Sequence, residues 1–144
     1  MLDSSRSKLL LVESEPLLAD LTSFRLELLG YQIECLGSGS EAVTRLSNEI
    51  PDLLIVGTTL RDGDSIEQVA RLRNQYPAEQ LPILVCSLDP SLETVERAFA
   101  AGAQDYLITP FDPAVLEQKI QYLLQLSTAS GRRAKARPLA GAAR

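Results

Sequence analysis

The side chains able to do chemistry collect where apolar runs stop. "KLLLV" (8–12) runs straight into Glu13, Ser14 and Glu15, and "LLIV" (53–56) into Gly57, Thr58 and Thr59. "PILVCS" (82–87) ends on Ser87, and "DYLI" (105–108) is followed by Thr109 and Pro110. Carboxylates suit a hard divalent cation, which usually keeps several waters besides one or two of them. Glu13, alone or with Glu15, would hold Mg²⁺ only weakly, so no metal or other cofactor is expected. The hydroxyls of Thr58, Thr59 and Ser87 would need an adjacent base to become nucleophiles, and none adjoins them. The chain has no histidine, which removes histidine acid–base catalysis and histidine metal sites. Cys35 and Cys86 lie inside apolar segments and read as small buried thiols rather than a disulfide or a metal pair. No catalytic residue, and hence no enzyme, is expected.

Two alternating periods position these residues. Five apolar runs read as strands: 8–12, 31–36, 53–56, 82–87 and 105–108. Each is followed by a helical pattern. The first, "EPLLADLTSFRLELLG" (15–30), puts Leu17, Leu21, Phe24 and Leu28 on one stripe and stops at Gly30. The second, 38–46, opens with a capping box of Ser38 and Glu41 and turns Ala42, Val43 and Leu46 inward. The third, 64–75, has an Asp cap and apolar positions Ile66, Val69, Ala70 and Leu72. The fourth, 89–103, starts on Asp89-Pro90 and carries Leu92, Val95 and Phe99; the fifth, 111–126, starts on Asp112-Pro113 and buries Leu116, Ile120 and Leu123. The pattern is (βα)5. Solid apolar strands imply a parallel sheet covered on both faces, and right-handed crossovers make it an open, doubly wound α/β sheet. Sites in such sheets lie at the carboxyl ends of the strands, where the residues above fall.

Length and charge bound the rest. With 144 residues the chain suits one domain, expected over 8–126, with a short extension at 1–7 and a tail at 127–144. The chain's net charge of −5 is uneven: the tail holds five bases and no acid, leaving nine bases against nineteen acids before it. The acidic body disfavours nucleic acid. The tail, rich in Ala, Gly, Ser and Arg, reads as disordered. No apolar run approaches the roughly 20 residues of a membrane span, and "MLDSSRSK" lacks a signal peptide's apolar stretch, so a cytoplasmic protein is expected.

The layout over residues 7–126 resembles the CheY-like receiver domain of two-component response regulators. "LLLVESEPLLADL" looks like that family's first strand and acidic loop, "LGYQIECLGSGSEAV" like its second strand and turn, and "AFAAGAQDYLITPFDPAVL" like its closing segment. The resemblance implies a flavodoxin-like sheet of strand order 2-1-3-4-5. It also implies an acid pair after strand one, a phosphoaccepting Asp after strand three, a hydroxyl after strand four and a Lys before Pro after strand five. Here those positions hold Glu13 with Ser14, Gly57, Ser87 and Thr109. The switch aromatic falls on Tyr106, and Pro110 is expected to follow a cis bond. Phosphoryl transfer to a carboxylate needs an in-line nucleophile, Mg²⁺ and a cation on the product, and acceptor and lysine are both replaced. The losses are coupled: a lysine left beside no counter-charge would cost on the order of 3–5 kcal/mol, whereas two neutral replacements cost little.

The resemblance then implies a non-phosphorylatable stand-alone pseudo-receiver, a signalling and protein-interaction module. Its partner would be a histidine kinase or a separate output protein, with no DNA-binding domain attached. The expected docking face, also a route to a homodimer, is the fourth helix, fifth strand and fifth helix. It comprises Glu93, Glu96, Arg97, Tyr106, Glu117, Gln118, Gln121 and Tyr122, with Tyr106 free to turn in or out. Plainer roles stay open: Ser87 bonding backbone, Tyr106 packing under the fourth helix, Glu13 a solvated acid. The alternatives are a regulator phosphorylated at an atypical residue, or a flavodoxin-like nucleotide or flavin binder. The latter is opposed by "ESEP", whose two acids would repel phosphate.

Overall fold

Strands β1 (Lys8–Val12), β2 (Gln32–Leu36) and β3 (Leu53–Gly57) form where β-compatible apolar residues run between turns, and a computed structural model describes them within residues 6–57 and 59–126. Helices α1 (Pro16–Leu28) and α2 (Gly39–Asn48) connect them. The second half holds β4 (Thr59–Leu60), β5 (Gly63–Asp64), α3 (Ser65–Gln75), β6 (Ile83–Ser87), α4 (Leu92–Ala101), β7 (Asp105–Ile108) and α5 (Pro113–Leu126). Five strands form one parallel sheet in the order β2-β1-β3-β6-β7, the 2-1-3-4-5 order expected once the small β4–β5 hairpin is set aside.

Alternate strand residues face opposite layers. Leu10, Val12, Leu54, Val56, Ile83 and Val85 pack under α2, α3 and α4 against Ala42, Leu46, Ile66, Val69, Leu72 and Ala98. Leu9, Leu11, Leu53, Ile55, Leu84 and Leu107 pack under α1 and α5 against Leu26, Leu116, Ile120 and Leu123. Helix starts follow the sequence: Ser38 Oγ accepts from Glu41 N at 3.2 Å, Asp64 Oδ1 from Ile66 N at 2.9 Å, and Asp112 Oδ1 from Ala114 N at 2.8 Å. α4 is the exception. Ser91 caps it, while Asp89 accepts from Ser91 N at 2.9 Å and Thr94 Oγ1 at 2.6 Å, so the helix begins two residues past the expected Asp-Pro start.

Several expected core positions face water. The α1 stripe is turned outward: Leu17, Leu21, Phe24 and Leu28 are 64, 57, 61 and 62 % exposed, and Ala19, Thr22 and Leu26 are buried instead. The small Ala19 and Thr22 let α1 lie close to the sheet, and Leu26 fills the gap. On α4, Leu92 and Phe99 are exposed because Ala98 is the residue that meets the core, with Val95 packed at its margin. Val43 and Ala70 also lie on the outer sides of their helices. Cys35 is exposed, since β2 is an edge strand, whereas Cys86 on central β6 is partly covered.

Arg73 fastens the far side. From its half-buried position it donates to the carbonyls of Gly102, Tyr76 and Leu81 and to Gln104 Oε1, at 2.8–3.0 Å. Gly102 ends α4 with a φ of +118°, a conformation that favours glycine.

Candidate functional site at the carboxyl ends of the strands

Parallel register brings the singled-out residues into a row. Val12 pairs with Val56, so Glu13 and Gly57 leave adjacent strand ends together. Gly57 pairs with Cys86, and Ser87 with Ile108, which brings Ser87 and Thr109 alongside. Thr109 N donates to Ser87 O at 2.7 Å, and the Thr109–Pro110 bond is cis. Between β1, β6 and Thr109 lies a cavity of about 230 Å³ lined by Glu13, Ser14, Glu15, Cys86, Ser87 and Thr109 among others, with no cationic side chain among its lining residues.

Glu13 dominates this site. A Cβ placed on Gly57 would collide with Glu13 Oε1 and lie 2.9 Å from its Cδ. The carboxylate therefore fills the space that a side chain at position 57 would enter. Glu13 Oε2 also accepts from Glu15 N at 3.1 Å. Burial pushes the Glu13 carboxyl above its ordinary pKa and the Glu15 charge adds to this, while backbone N–H groups pull it back. Glu13 and Glu15 are the carboxylates lining the cavity, with one Glu13 oxygen engaged by Glu15 N, and among the described residues no group of three His, Cys, Asp or Glu is placed to hold a metal ion. Burial pushes the Cys86 thiol up to about 12, which leaves it inert near neutral pH.

The hydroxyls around this row hold backbone. Ser87 is buried and its Oγ accepts from Asp89 N at 2.9 Å. Tyr106 is buried as well and donates its hydroxyl to Asp89 O at 2.7 Å. Of the two positions expected for Tyr106, the ring takes the inward one, packed in the core layer beneath α4 with its hydroxyl bonded there. On that face Glu93, Glu96, Gln118, Gln121 and Tyr122 are exposed and Glu117 is half-buried. Arg97 is exposed but engaged, in an ion pair with Asp64 at 2.9 Å. The face also carries Leu92, Phe99 and Ile108, making it more apolar than the sequence suggested.

A β4–β5 hairpin lies beside Gly57 and turns at Asp62-Gly63, a turn signal. Asp62 accepts from Gly39 N at 2.8 Å and Ser40 N at 2.9 Å, so it occupies the N-terminus of α2. Those two N–H groups hold its carboxyl below the usual range. Gly63 has a φ of +140°, which its lack of a side chain permits. Thr58, the side chain of Thr59, most of the 1–7 extension and the 127–144 tail lie outside the described residues.

The order and register of the sheet are those of a receiver. The chain belongs to the response regulator receiver domain family, whose model matches residues 9–121, and it is the receiver domain of a two-component response regulator. It is 33 % identical over 118 residues to the phosphate regulon transcriptional regulatory protein PhoB of Rhizobium meliloti, covering 82 % of this chain and 52 % of that one. An uncharacterized 14.6 kDa protein of Leptolyngbya boryana is 30 % identical over 78 % of this chain and 86 % of its own. Among solved structures, a CheY-like receiver domain protein of Methanospirillum hungatei superposes with a TM-score of 0.76 at 25 % identity, covering 83 % of this chain and 94 % of that chain. The receiver domain of the Pseudomonas aeruginosa sensor histidine kinase PA1611, which has a magnesium ion coordinated in its active-site cleft, gives 0.76 at 25 % identity, covering 83 % and 98 %. The chain spans about half the length of most of the curated regulators it matches. Among the described residues no helix is long and apolar enough to cross a membrane.

Proposed function

We propose that this receiver does not take up phosphate, and that it signals through protein contact by the unit spanning residues 8–126. The observation that carries this reading is Gly57 at the end of β3 with the Glu13 carboxylate lying over it. An acyl phosphate needs a carboxylate that can attack in line, and position 57 has none. Its product also needs a cation, and Thr109 supplies only a hydroxyl. A carboxylate filling the site further repels an incoming anionic phosphodonor.

The docking surface in this reading is α4, β7 and α5, where exposed Leu92, Phe99, Ile108 and Tyr122 stand among Glu93, Glu96, Gln118 and Gln121. An aromatic and several aliphatic side chains within a polar rim suit a modest protein interface. The partner is a histidine kinase or a separate output protein.

The test is incubation of the full chain with acetyl phosphate and Mg²⁺, followed by intact-mass measurement. No added phosphoryl group is expected. A phosphoryl adduct in good yield, mapped to any residue, would overturn the reading and favour a regulator phosphorylated at an atypical position.

A further inference from the structure

The outward stripe of α1 is a surface that the proposed function does not use. Leu17, Leu21, Phe24 and Leu28 recur at intervals of four, three and four residues. At 100° per residue they fall within a strip about 60° wide. Ala19, Thr22 and Leu26, which meet the sheet, lie on the opposite side of the helix. The exposed strip is therefore a second apolar face, not the margin of the core. With each side chain more than half exposed, it presents on the order of 500 Å² of apolar surface, near the upper limit for a monomer.

The spacing and the flanking charges select what covers it. A 4-3-4 repeat is the narrow seam of a two-helix coiled coil, with Leu17 and Phe24 at d positions and Leu21 and Leu28 at a positions. The flanking positions then hold Asp20 and Glu27 at g and Arg25 at e. In a parallel pair, each g residue faces the e residue five places later on the other helix, so Asp20 meets Arg25 twice. In an antiparallel pair g faces g, and Asp20 would meet Glu27. Two copies would cover on the order of 1,000 Å² of apolar seam, close to the lower end of a stable interface before the flanking residues are added.

We infer that this face binds a second copy of the same chain, α1 against α1, in parallel about a two-fold axis. The axis runs along the helices, so both copies present their Glu13–Gly57 sites at the same end of the dimer. This contact is separate from the α4–β7–α5 surface and leaves that surface open for a partner.

Sedimentation equilibrium of the full chain across a concentration series tests the inference. A monomer–dimer equilibrium is expected, and Leu21→Glu with Phe24→Glu should raise its dissociation constant at least about a hundredfold, since both sit at the centre of the seam. Their solvent-facing positions should leave the circular dichroism spectrum at low temperature close to wild type, which separates lost pairing from lost folding. Asp20→Arg should weaken the dimer and Asp20→Arg with Arg25→Asp should restore it. Leu21→Cys in a Cys35→Ser background should oxidise to a covalent dimer, because a position meets itself only in the parallel arrangement. A chain that stays monomeric throughout would overturn the inference and give the face to another protein. A dimer broken by Leu92→Glu and Tyr122→Glu but not by the α1 variants would overturn it as well.

Discussion

Replacing Gly57 by Asp places a second carboxylate against Glu13, and its cost can be worked out from the contacts. The new Cβ collides with Glu13 Oε1 and lies 2.9 Å from Cδ and 3.1 Å from Oε2. The collision alone is cheap, because those atoms are the far end of a flexible side chain. Once Glu13 swings aside, two charges remain about 4 Å apart, which costs between about 1 kcal/mol in bulk water and about 4 kcal/mol at the effective dielectric of a protein surface. Partial burial of Glu13 places the loss at about 2 kcal/mol. Gly57→Asn has nearly the same shape without the charge and should lose less than about 1 kcal/mol. Each carboxylate raises the other's pKa in the folded state, so the penalty is complete above the folded values. It fades as pH falls through them towards the unfolded carboxyl values near about 4. Burial already raises the Glu13 carboxyl in the wild type, which adds in the same direction. Urea unfolding of wild type, Gly57→Asp and Gly57→Asn, at neutral pH and near pH ~4.5, measures the difference. Equal stabilities of the Asp and Asn variants at neutral pH, or a gap that persists unchanged in acid, would refute the placement of Glu13 over position 57.

Other outcomes follow from neighbouring contacts. Gly57→Asp should gain little phosphoryl group from acetyl phosphate because Thr109 offers no cation, while Gly57→Asp with Thr109→Lys should gain more, read by intact mass. Arg73→Met should lower stability by about 3 kcal/mol in urea titration, since the carbonyls of Tyr76, Leu81 and Gly102 lose a charged donor. Tyr106→Phe removes the bond to Asp89 O and should cost about 1 kcal/mol with the ring still buried. A thiol reagent near neutral pH should label exposed Cys35 in the native protein well before Cys86, which is only partly exposed and whose thiol is pushed up to about 12 by burial.

Element order, parallel sheet and strand ends were legible in the residues themselves. Apolar runs too solid to be half-solvated require cover on both faces, and turn and cap residues break the chain into five β–α units. That positions 57 and 109 hold Gly and Thr is read directly from the chain, while the roles expected of those positions rest on the resemblance. Helix orientation was not. On α1 both Leu17–Leu21–Phe24–Leu28 and Ala19–Thr22–Leu26 have helical period, and period alone cannot say which face meets the sheet. Close packing decided it: the small residues fit against the strands, and the larger set was left to solvent. On α4 the same competition buried Ala98 and exposed Phe99.

The site divided in the same way. That Glu13 is the remaining acid beside position 57 followed from the chain order and resemblance. That its carboxylate lies over Gly57 depended on the parallel register of β1 and β3 and on the room a missing side chain leaves. The inward Tyr106 and the Asp62 cap on α2 join residues 17 and more than 20 positions apart in the chain. Sequence patterns record what each segment needs to bury; only the packed molecule decides which polar atoms are close enough to satisfy one another.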